Sequence, residues 1–330
     1  MKQNWIIGFI ALGNIALHLA FYNSLGFHRD ELLYFSLGEN PSAGYASVPP
    51  YTGILAWLMI RIAGSDLFAA RLLPAIFSGI LVVIVALITR EMKGGRYAQV
   101  LAATGVVFAP INLRGFSLFQ PVFSDIFFWT LIFWLVLRLI NTRKNKYLYF
   151  IGIVAGLAFL NKYLVVLQLL ILMLLFLMRR EYWIFIRRSL PITLAILLLM
   201  ILPNLIWQYL HHFPVITHMH ALRSSQLVHV DRFTFLTDQV ILTFMGSLLT
   251  IPGMVILFTR KELAPYRILG MTCWLALLSL FLLHGKSYYS AGILPFLTAA
   301  GAIAWEGWHP HILQGAPGGI FCVFQRENRV

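Results

Sequence analysis

Charge is scarce in these 330 residues: Asp, Glu, Lys and Arg together make up 11% of the chain, against roughly 25% in an ordinary soluble domain. With 60% hydrophobic residues and a mean hydropathy of +0.81, such a chain cannot keep the surface of a soluble fold wet. Cysteine is nearly absent. The two present, Cys273 in an apolar run and Cys322 near the C-terminus, exclude a disulfide framework. Acids are few as well, and 25 Lys and Arg against 12 Asp and Glu leave a net charge of +13. These basic residues are dispersed between apolar runs and do not form the single arm or stripe of a nucleic-acid footprint. No low-complexity tract and no internal repeat is visible, so the paired halves of many secondary transporters are not seen.

What the chain has in abundance is apolar length. A helix crossing a bilayer needs about 20 predominantly apolar residues, and runs of that kind recur at 5–22, 69–89, 97–113, 121–140, 147–160, 163–178, 189–208, 238–258, 267–283 and 287–305. A further run at 51–63 is short and interrupted, and reads as a re-entrant or interfacial piece. The runs are continuous and Leu/Ile-rich, without the alternation of barrel strands. The fold expected is therefore an all-α polytopic membrane protein with about ten transmembrane helices. The run at 5–22 has the length of a signal-peptide core but no convincing small-residue cleavage site follows it, which predicts a retained first helix. Residues 1–308 read as one transmembrane unit with interfacial helices in a first outer loop, 23–68. From His309 the chain changes character, and 309–330 reads as an irregular tail.

Alternating the loops of ten spans partitions the charge. One side receives Lys2, Arg90, Lys93, Arg96, Arg138, Arg143, Lys144, Lys146, Arg179, Arg180, Arg187, Arg188, Arg260, Lys261 and Arg267 against only Glu91, Glu181 and Glu262. The other receives Arg29, Arg61, Arg71, Arg114, Lys162, Arg223, Arg232 and Lys286 against Asp30, Glu31, Glu39, Asp66, Asp125, Asp231 and Asp238. The positive-inside rule makes the first set cytoplasmic. That places the N-terminus inside and most carboxylates and histidines outside, in a plasma membrane that is the inner membrane of the cell. Chemistry is expected on the outer face.

The outer residues offer several kinds of chemistry. Asp30 and Glu31 are adjacent acids just beyond the first helix, with Tyr34 one helical turn after Asp30. A carboxylate there is either a general base towards a hydroxyl or a first-turn acid stabilised by the helix dipole. Asp125 lies near the outer end of a membrane helix, where an ionisable group points to function, or else it is an acid at a helix N-terminus. Lys162, and Lys286 beside Tyr288 and Tyr289, are cations at the membrane surface that suit a phosphate with a lipid tail; the alternative is snorkelling lysine with an aromatic belt. The loop 209–237 carries His211, His212, His218, His220 and His229 with Asp231, and Asp238 follows it. Their spacing fits no compact zinc motif, which leaves the metal unassigned and a divalent cation open.

Taken in order, Asp30-Glu31 with Tyr34, the run Tyr45 to Pro50, Asp125, Gly156-Leu-Ala-Phe-Leu-Asn-Lys162, Pro203-Asn-Leu-Ile-Trp-Gln208, Gly285-Lys-Ser-Tyr-Tyr289, Leu294-Pro295 and Ala299-Ala-Gly301 resemble the bacterial branch of the GT-C glycosyltransferases. That branch is related to protein O-mannosyltransferases (glycosyltransferase family 39) and to the lipid A aminoarabinose transferase. The resemblance covers residues 5 to 305. It implies an inverting transferase that moves a sugar from a polyprenyl-phosphate donor to a lipid, glycan or protein hydroxyl at the outer membrane face. Asp30 matches the family's first-loop acid and Asp125 its second, with Glu31 beside them in the catalytic group. Lys162, Lys286, Tyr288 and Tyr289 match the donor end, Arg29 and Arg71 are the further candidate phosphate partners, and Tyr34 and Tyr45 belong to the acceptor loop. Val48 stands where some relatives carry a lysine directly before the proline pair. The rival from another class is a transporter or flippase for a lipid-linked or anionic solute, which requires polar residues near mid-membrane; the spans are mostly clean of them.

Overall fold

A computed structural model describes residues 5–24 and 26–308; the expected tail 309–330 lies outside them. Every regular element among the described residues is helical. In chain order the α-helices are α1 (Trp5–Ala20), α2 (Arg29–Glu39), α3 (Tyr51–Ala63), α4 (Leu67–Glu91), α5 (Arg96–Val107), α6 (Pro110–Gly115), α7 (Pro121–Thr142), α8 (Asn145–Asn161), α9 (Val165–Met178), α10 (Arg180–Ile186), α11 (Leu190–Leu210), α12 (Pro214–Ser225), α13 (Arg232–Thr243), α14 (Ser247–Thr259), α15 (Arg267–Leu282) and α16 (Leu294–Trp308). Short 3-10 turns join α12 to α13, α13 to α14, α14 to α15 and α15 to α16.

Local chemistry explains where these helices start and break. Proline at the first helical position lacks the N–H that would be unsatisfied there anyway, and Pro110, Pro121 and Pro214 open α6, α7 and α12. Pro110 also divides the apolar run 97–113, expected as one span, into α5 and α6. Likewise 238–258 is broken between α13 and α14, where Phe244 has a φ of 47°. The run 287–305 begins as a 3-10 turn, Ser287–Ile293, before α16. Five helical stretches, among them α4, α7 and α11, are long and apolar enough to cross a bilayer, with shorter apolar helices beside them; a count of ten spans is not established by length alone.

Burial sorts the helices into centre and rim. Of the apolar window of α7, 78% is buried, against 11% for α11, so α7 is central and α11 presents its flank to lipid. α4 packs against α1, α5 and α7, α8 bridges α7 to α11, and α14 lies against α16. The α14–α16 approach needs glycine: a Cβ on Gly253 or Gly301 would collide with the carbonyls of Leu297 and Leu249. Close backbone approach of this kind is how helices associate in lipid, where no hydrophobic difference drives them together.

The charges separate to two ends. At one end Arg138 donates to Glu91 (2.7 Å) and to the Tyr147 hydroxyl (2.7 Å), and Tyr266 donates to Asn141 (2.8 Å). There too Glu306 accepts from the N–H groups of Gly95 (2.7 Å) and Ala98 (3.1 Å), capping α5. All these residues except Glu306 come from loops or helix ends expected on the basic side. The other end carries α2, α3 and the segments that build the site.

Candidate active site

The site begins at the first turn of α2. His28 caps this helix: its Nδ1 accepts from the Asp30 N–H (3.2 Å), while its own N–H donates to Glu31 Oε2 (2.8 Å). That reciprocal capping turns the two neighbouring acids in opposite directions. Glu31 points inward and is fully buried. Its carboxylate accepts from Arg71 Nη2 (3.2 Å), His28 N–H and Phe119 N–H (3.0 Å). Arg71, also buried, donates further to the carbonyls of Tyr22 (2.8 Å) and Gly26 (3.0 Å). Glu31, expected in the catalytic group or as the holder of a cation such as Arg29 or Arg71, is thus bonded to Arg71, and the pair ties α1, α2, α4 and the α6–α7 link together.

Asp30 points the other way and keeps a third of its side chain open. It receives Arg29 Nε at 3.3 Å and Gln120 Nε2 at 3.4 Å. Arg29 itself is 92% exposed and reaches outwards. Tyr34 sits on the same face of α2, where burial first and the Asp30 charge second push its hydroxyl up to about 12.

Across from Asp30 stands a second group from distant parts of the chain. Asp125, in the second turn of α7, is buried and accepts from Lys162 Nζ at 3.2 Å. Lys162, the residue that ends α8, also lies over the rings of Tyr289 (4.5 Å) and Tyr288 (5.3 Å), which pack edge to face. Lys286 approaches the Tyr288 ring (6.0 Å) and donates to the neutral Gln226 amide oxygen. Burial, then the Lys162 charge, hold the Lys286 ammonium below its ordinary range, partly offset by the Asp30 carboxylate. Burial likewise raises the Tyr288 and Tyr289 hydroxyls, so at neutral pH both remain protonated donors. The geometry therefore places an open carboxylate opposite two cations and two phenol donors, a pairing suited to a hydroxyl on one side and a phosphate on the other.

The turn holding Lys286 is itself anchored. Ser287 donates to Asp238 (2.6 Å) and Ser290 to Gln239 (2.6 Å), both on α13. On the inner side of the turn a Cβ on Gly292 would lie 2.5 Å from Trp129 Cγ. Gln120, Gln226 and Gln239 carry no pattern visible in sequence, and their roles emerge only from three-dimensional placement; Asp238, read as an outer-side acid, serves here as the acceptor for Ser287.

Tyr45 lies apart from this group. Its hydroxyl donates to Leu37 O (2.9 Å) and accepts from Ser42 N–H (3.1 Å), closing the C-terminal end of α2. It lines an open groove of about 800 Å³ together with Glu39, Asn40, Trp207 and His211. The outer histidines do not gather: His211 stacks on Trp207 at 4.1 Å, His218 is half-buried and His220 exposed on α12, and Asp231 caps α13 by accepting from Thr234 N–H. That bond holds the Asp231 carboxyl below its usual range. Among the described residues no three of His, Cys, Asp or Glu are placed to hold a metal ion.

Residues 47–207 match the family model of dolichyl-phosphate-mannose-protein mannosyltransferases. They include Asp125 and Lys162. Over the whole chain, a crystal structure of ArnT from Cupriavidus metallidurans bound to undecaprenyl phosphate superposes with a TM-score of 0.74 at 15% identity, covering 93% of this chain and 61% of that one. The fold of this chain is the polytopic GT-C fold. The GT-C fold extends to a more distant structure, the archaeal oligosaccharyltransferase AglB from Archaeoglobus fulgidus in complex with an inhibitory peptide and a dolichol-phosphate, with a TM-score of 0.58, 14% identity, and coverage of 94% of this chain and 52% of that one. The chain thus spans about three fifths of the length of ArnT. Compared by sequence with curated proteins, it matches none.

Proposed function

We propose that this chain is an inverting glycosyltransferase that moves a sugar from a polyprenyl-phosphate donor to an acceptor hydroxyl at the extracytoplasmic face of the inner membrane. The observation that carries this reading is the opposition of the open Asp30 carboxylate to Lys286, Lys162 and the tyrosine pair at one end of the bundle. Similarity to ArnT, solved with undecaprenyl phosphate, supports a lipid-phosphate donor. In the step proposed, the acceptor oxygen attacks the anomeric carbon as Asp30 takes its proton. The bond from that carbon to the phosphate oxygen breaks, and the lipid phosphate leaves with the electron pair.

Each residue has a role in this step. Lys286, with the hydroxyls of Tyr288 and Tyr289, neutralises charge as it develops on the leaving phosphate. Lys162 is fixed by Asp125 and keeps the tyrosine rings in place beneath the phosphate. Glu31 and Arg71 hold α2 so that Asp30 faces the donor. A carboxylate acting as base supplies about 10² to 10⁴ in rate. Proteoliposomes given radiolabelled polyprenyl-phosphate sugars should release free lipid phosphate, with turnover falling at least about 10²-fold in Asp30→Asn. Undiminished release by that variant would remove Asp30 from the mechanism.

A further inference from the structure

His28 meets Asp30 at two points, its backbone N–H and its side-chain carboxylate. Its Nδ1 accepts from the Asp30 N–H at 3.2 Å, lies 3.2 Å from Gln120 Nε2, and stands 3.9 Å from Asp30 Oδ2. A backbone N–H can only donate, so Nδ1 must present its lone pair and the imidazole proton must sit on Nε2. In that neutral tautomer His28 caps α2 and Gln120 donates to both Nδ1 and Asp30 Oδ2. Protonated histidine offers donors at both ring nitrogens. An Nδ1–H would face the N–H groups of Asp30 and Gln120, while the carboxylate 3.9 Å away would attract it.

We propose that His28 and Gln120 are positioning residues for Asp30, and that His28 sets the acid limit of the reaction. The inference rests on Asp30 acting as the base. Neutral His28 holds the first turn of α2 and leaves Asp30 Oδ2 to the acceptor hydroxyl. When His28 takes a proton from water it gives up both hydrogen bonds at Nδ1 and pairs with Asp30, whose charge is then unavailable to the acceptor. Other charged or titratable groups face this point from each packed element. On α2 they are Arg29, bonded to Asp30, Glu31, bonded to the His28 N–H, and Tyr34. From α4 comes Arg71, already committed to Glu31, and from the turn before α16 comes Lys286, whose charge acts on Asp30.

The test uses the full chain in proteoliposomes with a labelled polyprenyl-phosphate sugar, kcat being followed from pH 5 to 9 and each profile normalised to its own maximum. His28→Asn keeps an acceptor where Nδ1 stands and caps a helix well, but does not titrate. Its acid limb should lie at least one pH unit below that of wild type. His28→Ala and Gln120→Ala should lower kcat about tenfold or more with donor KM within twofold, and His28→Asn should recover most of the loss of His28→Ala. An acid limb in His28→Asn that coincides with wild type would overturn the proposal, as would donor KM rising in step with kcat loss. If instead Asp30→Asn turns over normally while the acid limb still moves in His28→Asn, the base assignment fails and the histidine effect stands on its own.

Discussion

Two lysines approach the Tyr288 ring, but they differ in what balances their charge. Lys162 is matched by the Asp125 carboxylate at 3.2 Å, whereas Lys286 donates to the neutral amide of Gln226. A donor phosphate can displace an amide oxygen far more readily than it can displace a buried carboxylate, so Lys286 is the cation placed to receive it. Its ammonium is held below the ordinary range by burial and by Lys162, and a bound phosphate would raise it again. The sign follows: donor affinity is flat while free Lys286 remains charged, then falls as pH rises through its lowered value. Donor KM should therefore begin to climb at a pH below that at which an ordinary lysine loses its charge, and Lys286→Arg, which stays charged throughout, should flatten that climb. A KM rise that persists unchanged in Lys286→Arg would assign it elsewhere. The lysines and acids were legible in the sequence because ionisable residues at a membrane boundary are rare and costly. Gln120 and Gln226 were not, since a neutral amide costs little anywhere and carries no such signal.

At the scale of the element, α2 shows how adjacent residues come to opposite duties. Asp30 and Glu31 are indistinguishable as a dipeptide, yet consecutive positions on a helix point about 100° apart. One is open, and the other is buried on Arg71, forty positions on, and on the Phe119 N–H, eighty-eight positions on. Sequence spacing alone does not choose between Arg29 and Arg71 as the cation that Glu31 holds; the fold brings Arg71 to it. Removing one partner of a buried ion pair costs about 3–5 kcal/mol. Glu31→Gln should accordingly lower the detergent melting temperature by several degrees, while Asp30→Asn leaves it near wild type; equal melting temperatures for all three proteins would contradict this division. The break near Phe244 was equally hidden, because an apolar run reads the same whether one helix or two fill it, whereas the break before α6 carried its own signal in Pro110. Packing of α14 on α16 yields its own test. Gly301→Leu would force a branched side chain against the Leu249 carbonyl, and the folded yield in detergent should drop sharply compared with Gly8→Leu, where nothing lies within 4 Å of the added Cβ.

For the whole molecule the decisive property is polarity from end to end. Fifteen basic residues assigned to one side by loop alternation were matched by only three acids, and the Glu91–Arg138–Tyr147 network lies among them. Asp30, Asp125, Lys162 and Lys286 gather at the opposite end, brought together from α2, α7, the end of α8 and the turn before α16. An active site at that end sees the extracytoplasmic side only if the basic end is cytoplasmic, as the positive-inside rule requires. Cysteine placement tests this directly, because Cys273 is buried and a Cys322→Ser background removes the remaining thiol. In that background Arg223→Cys on exposed α12 should react with a membrane-impermeant maleimide on intact spheroplasts, and Lys144→Cys between α7 and α8 should react only after permeabilisation. The reverse pattern would invert the topology and place the Asp30 site on the side where the N-terminus was expected. It would also require a donor whose phosphate faces the cytoplasm, so the labelling result constrains the chemistry as well as the orientation.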